Sequence, residues 1–128
     1  LTEEIRFARA WAGWENALAS TEHGGCGGEA PPDYSRAFSR LENHYFINGG
    51  FLDRDDQILA MRHRIADSPA VIVQGRYDMI CPPVSSWRLA QGWARAELRL
   101  VPLAGHALSE PGISEALVAR EAGTSSRL

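Results

Sequence analysis

Along the first half of the chain, apolar side chains recur at helical spacing. Phe7, Trp11, Trp14 and Leu18 share one arc, extended by Ile5, Ala8 and Ala12, which predicts a helix from Thr2 to about Ser20. Thr2 is a natural N-cap, and Glu3 and Glu4 sit where the helix dipole favours acids. Residues 21–32 carry four glycines and read as a loop. A second helix is predicted from about Pro32 to Ile47, with Tyr34, Phe38, Leu41 and Tyr45 as one aromatic stripe that reads as a core face. Asn48-Gly49-Gly50 should end it through left-handed backbone. Asp53 or Asp55 would cap a third helix with Ile58, Met61, Arg62 and Ile65 on its inner edge, and Ser68-Pro69 should break it.

The periodicity then changes. Val71 to Gln74 is a β-branched run ended by Gly75, the signature of a strand in a parallel sheet. After Pro82-Pro83 a helix is predicted over Val84 to about Arg95, and Leu98 to Val101 gives a second strand stopped by Pro102. Twelve helical residues rise about 18 Å, and a five-residue strand covers about 17 Å. The helix can therefore return the chain by one strand length, so the strands should lie parallel with a right-handed crossover. Asp78 follows the first strand and His106 the second, at the carboxyl ends where open α/β sheets gather ligands. An acid and an imidazole delivered to one rim form two thirds of a nucleophile–base–acid triad. The plain alternative is a turn-capping aspartate and a loop histidine.

Two further acids stand against apolar surface. Glu15 falls inside the apolar arc of the first helix, where a carboxylate must be paired, protonated or facing a cavity, unless its stem carries it out to water. Glu42 flanks the stripe of the second helix, with Phe46 one turn on. His23 and Cys26 have the spacing of two metal ligands, but no further ligands are placed to complete a site, so they read as loop residues and no metal is expected.

Length and charge narrow the classes. With 128 residues, 45% of them hydrophobic, the chain suits one domain's worth of core. Its 13 basic and 16 acidic side chains, net −3, offer no field for nucleic acid. No apolar run approaches the ~20 residues of a membrane span. Two cysteines, Cys26 and Cys81, do not make a disulfide framework, which fits a reducing, cytoplasmic setting. The expected division is a helical part, 1–66, and an α/β part, 67–128. Two strands cannot cover the faces and edges of their own sheet, so the expectation is a C-terminal fragment whose remaining strands belong to an N-terminal part.

Four strings sharpen this: Trp11-Ala-Gly-Trp14-Glu15, Leu41-Glu42-Asn43-His44-Tyr45-Phe46, Gly75-Arg76-Tyr77-Asp78 with Cys81-Pro82, and Ala104-Gly105-His106. In this order they resemble the proline iminopeptidases of the α/β-hydrolase superfamily, over about residues 8–118. The resemblance implies helices of a cap domain followed by the C-terminal part of the hydrolase core. It implies that Asp78 is the triad acid and His106 the general base of a serine aminopeptidase releasing N-terminal proline from peptides. Glu15 and Glu42 match acids that hold the substrate's α-amino group; Phe46 and Cys81 match residues lining the proline pocket. No cofactor is implied. The family's serine lies in a Gly-x-Ser-x-Gly elbow upstream of the acid, and no such string occurs here. The nucleophile is thus expected in a missing N-terminal part, leaving the isolated chain inert. A different cap-bearing hydrolase, such as an esterase or epoxide hydrolase, would keep Asp78 and His106 without needing two acids for an amine. A non-catalytic interaction module would dispense with the nucleophile altogether.

Overall fold

A computed structural model describes residues 2–21 and 30–124. His23 and Cys26 lie outside the described residues. The chain forms two compact units, one of Leu1–Ala17 with Glu22–Ile58, the other of Leu18–Thr21 with Leu59–Leu128.

In the first unit, α1 (Thr2–Ala19) supplies all but its last two residues, and α2 (Pro32–Ile47) follows with proline in its first turn. Most of the large aromatic side chains lie outside the seam between them. The buried residues are Ala8, Ala12 and Glu15 on α1 and Ser35 and Ser39 on α2. Small side chains let the helix backbones approach, and Ser39 Oγ donates to the Ala8 carbonyl at 3.1 Å. Phe7 and Trp14 remain 63% and 56% exposed, and Tyr34, Leu41 and Tyr45 are exposed as well. On α1 the small members of the expected arc, Ala8 and Ala12, are buried and its large members Phe7 and Trp14 are not, whereas on α2 Ser35 and Ser39 are buried in place of the aromatic stripe. Helical periodicity identifies a stripe, but close packing selects the residues that let the axes come near. Arg36 binds Glu4 across the pair, and the Arg36 hydrogen bond chiefly holds the Glu4 carboxyl below its usual value.

After α2 the backbone turns through positive φ at Gly49, Gly50 and Phe51, the left-handed exit expected of Asn48-Gly49-Gly50. Phe51 is not a glycine, and its ring sits 5.3 Å from His44 and 5.4 Å from Tyr45. The third helix, α3 (Gln57–Met61), is one short piece continued by a 3₁₀ turn, Arg62–Arg64. Among the described residues no capping bond from Asp53 or Asp55 is found; instead the Asp53 N–H donates to Gln57 Oε1.

The second unit carries β1 (Ala70–Gly75), α4 (Pro83–Ala90), β2 (Ala96–Val101) and α5 (Pro111–Thr124). The strands pair in parallel, from Ala70 opposite Ala96 to Gly75 opposite Val101. The α/β fragment expected from the sequence, two parallel strands joined through a helix, is the observed architecture. Helix α4 ends five residues earlier than periodicity suggested, because the chain turns at Gln91–Gly92 and Trp93 Nε1 donates to the Ser68 carbonyl at 2.8 Å. Both α4 and α5 pack on the strands. Val71, Ile72 and Val73 are only half-buried, since two helices cover part of the sheet. The described residues buried in this unit are Gln74, Gly75, Asp78, Ala104, Gly105, Glu110 and Ile113. All but Ile113 lie at or just beyond the carboxyl ends of the strands, so the best-protected part of the unit is that rim.

Candidate active site

The rim is built by the register. Gly75 and Val101 are paired at the last rung of the ladder, so the loops that follow leave from the same end. Two bonds extend the pairing beyond the strands: Arg76 N–H to the Val101 carbonyl at 3.0 Å, and Tyr77 N–H to the Ala104 carbonyl at 2.9 Å. Asp78 and His106 thereby come face to face, with His106 Nδ1 3.0 Å from Asp78 Oδ2.

Asp78 is nearly buried, and each of its oxygens accepts twice. Oδ1 takes the N–H groups of Ile80 at 3.0 Å and Cys81 at 2.7 Å, closing the local turn. Oδ2 takes Gln74 Nε2 at 2.9 Å as well as His106. Burial pushes this carboxyl up, but the Cys81 N–H, the His106 hydrogen bond and charge, and the Ile80 N–H together outweigh it and hold Asp78 below the usual aspartate value. An ionised carboxylate can only accept, so the neutral imidazole must carry its proton on Nδ1. That leaves Nε2 as its free lone pair. The imidazole side chain is 41% exposed against 6% for Asp78, so the base is reachable while its acid is sealed.

The other predicted residues divide between the units. Glu15, Glu42 and Phe46 fall in the first, Cys81 with the acid and the imidazole in the second. Glu15 is buried, at 7% exposure, so its stem does not carry it out to water. Glu42 is half-buried, and its Oε2 accepts from Trp11 Nε1 at 2.6 Å. Phe46 is exposed, its ring 6.2 Å from that of Trp11. Cys81 is exposed at the Asp78 turn. Phe7, Trp11 and Trp14 with Arg36 and Arg40 also line a hollow of about 690 Å³ on the α1–α2 pair. Among the described residues no cluster of three His, Cys, Asp or Glu could hold a metal ion, and no helix is long and apolar enough to cross a membrane.

The chain is 44% identical over 116 residues to the proline iminopeptidase of Xanthomonas citri, a match covering 89% of this chain and 37% of that protein. It is 47% identical over 114 residues to that of Neisseria gonorrhoeae, covering 89% and 36%. It is 44% identical over 119 residues to that of Arabidopsis thaliana, covering 90% and 31%. The chain is a relative of the proline iminopeptidases. No family model matches it. It spans about a third of the length of the curated proline iminopeptidases it matches.

Two site residues escaped sequence reasoning. Gln74 binds the Asp78 carboxylate through Nε2 and accepts from Ser86 Oγ through Oε1. Its signal was present, a lone amide closing a run of β-branched residues. Glu110 is 6% exposed and accepts four hydrogen bonds around the His106 loop. Its position just before Pro111 marked it only as a helix-start residue.

Proposed function

We propose that this chain carries the acid, the general base and the amine-recognition groups of a serine aminopeptidase that releases N-terminal proline from peptides. The observation that supports it most is the 3.0 Å contact of His106 Nδ1 with Asp78, made at the carboxyl ends of two adjacent parallel strands. In this reading His106 Nε2 takes the proton of a serine hydroxyl as that oxygen attacks the prolyl carbonyl. The imidazolium then returns the proton to the leaving amine, while Asp78 holds the ring's tautomer and orientation. The serine belongs to a part of the protein outside this chain, so the chain alone is inert.

Glu15 and Glu42 receive the substrate's terminal ammonium. The burial of Glu15 and the aromatic setting of Glu42 support this, because a terminal ammonium can form ion pairs with such carboxylates and a neutral internal peptide amide cannot. Phe46 and Cys81 are each assigned to recognition of the proline ring by their match to the family's motifs. Residues 1–66 then stand for the cap portion and 67–128 for the C-terminal part of the core, and half-exposed strands suit a sheet continued by the absent part. The protein works in the cytoplasm without a cofactor.

The test is a chimera in which this chain replaces the matching stretch of the Xanthomonas citri relative. It should release nitroaniline from prolyl-4-nitroanilide, and Asp78→Asn or His106→Ala should abolish this. Glu15→Gln with Glu42→Gln should abolish amide cleavage while sparing simple esters. A folded chimera that cleaves esters but no prolyl amide, or that is indifferent to both Gln substitutions, would refute the aminopeptidase reading in favour of an esterase.

A further inference from the structure

The loop that presents His106 is held from two sides. One is the sheet, through the Tyr77–Ala104 bond. The other is the segment Leu18–Thr21, which belongs to the same unit although it continues from α1. The Ala19 carbonyl accepts two N–H groups at once, those of His106 and Ala107, each at 2.8 Å. The approach is so close that a Cβ on Gly105 would stand 2.8 Å from that same oxygen. Four further bonds converge on the Glu110 carboxylate. Its Oε1 accepts from Ser20 Oγ at 2.6 Å and Thr21 N at 3.2 Å; its Oε2 accepts from Thr21 Oγ1 at 2.9 Å and Gly105 N at 3.2 Å. One buried acid thus ties the Gly105 backbone, immediately before His106, to the segment whose carbonyl accepts the backbone N–H of His106.

We propose that Glu110 is a positioning residue for His106: its carboxylate clamps Gly105 to Ser20–Thr21 and so fixes the ring on Asp78. Glu110 touches no reacting atom and acts through the loop. A neutral amide could not replace it, since in either orientation its NH2 group would face a backbone N–H, that of Thr21 or that of Gly105. The Ser20 hydrogen bond above all, then those from Gly105 and Thr21, holds the Glu110 carboxyl below its usual value against the push of burial, so the clamp is charged at neutral pH. This inference rests on the Asp78–His106 reading of the site.

The test uses the chimera described above, labelled with ¹⁵N-histidine and studied at a mildly alkaline pH, with His106→Ala identifying the His106 signals. The two ring-nitrogen shifts report the tautomer of His106, and thermal melting reports the fold. The parent chain should show the Nδ1–H form, and Asp78→Asn should lose it. Glu110→Gln should also lose it, giving averaged nitrogen shifts, in a chain whose amide spectrum stays folded. A merely structural Glu110 would lower the melting temperature and leave the tautomer untouched; that result overturns the proposal while the site reading survives. If Asp78→Asn leaves the tautomer unchanged, the site reading falls and this inference with it. Should Glu110→Gln fail to fold, Ser20→Ala with Thr21→Val decides. That pair keeps the carboxylate and strips two of its anchors, so an unchanged tautomer in it overturns the proposal, and a lost one supports it.

Discussion

Gly75→Ala tests the geometry of the rim with the smallest available change. Gly75 has no left-handed backbone to defend, so a methyl group acts there by volume alone. Its Cβ would stand 2.6 Å from the Ala104 carbonyl oxygen and 2.9 Å from the Ala104 carbon, and nearer still to the Gly105 oxygen. All three are backbone atoms, which cannot swing aside as a side chain would. Restoring ordinary contact needs the 104–105 backbone to retreat by about 1 Å or more, at a cost of ~1–3 kcal/mol. That corresponds to a loss of about 5 °C or more in melting temperature. The retreat carries His106 with it and stretches a 3.0 Å contact towards the distance at which a hydrogen bond no longer exists. Melting curves and the His106 ring-nitrogen shifts measure the two effects on one sample. In the active chimera the same substitution should lower turnover by about 10²-fold. A Gly75→Ala chain that melts within ~1 °C of the parent and keeps its Nδ1–H tautomer would show that the two backbone segments are not in close contact.

Acid should unfold the second unit for an identifiable reason. Asp78 and Glu110 are both held below their ordinary values of 3.8 and 4.5, so their stabilisation is complete above those values and disappears as pH falls through the lower folded ones. Melting temperatures taken from about pH 6 down to about pH 2 should therefore drop steeply only below ~4, and Glu110→Gln should flatten that limb; a profile indifferent to acid would contradict the assignment. In the first unit, Ala12→Leu should cost ~1–3 kcal/mol by wedging the small-residue seam, whereas Phe7→Ser should stay within about 0.5 kcal/mol. The reverse ranking in urea titrations would restore the aromatic stripe as the core.

What the linear order of residues determined was local and chemical. Val71 to Gln74 and Leu98 to Val101 declared two strands, the intervening length made them parallel, and Gly75-Arg76-Tyr77-Asp78 with Gly105-His106 put an acid and an imidazole at the same end. Kinship with the proline iminopeptidases was legible from the same strings. These features depend on spacing along one strand or helix, which a periodic pattern encodes directly. Only the tertiary structure decided which positions of each helix are buried, because Ala8, Ala12, Ser35 and Ser39 win the seam by being small, a property of two axes approaching and not of either helix alone. It also decided who supports the site. Glu110 meets Ser20 across ninety positions of chain and Gln74 meets Asp78 inside a buried rim. Such pairings follow from where two loops leave the sheet, and no local pattern carries that information.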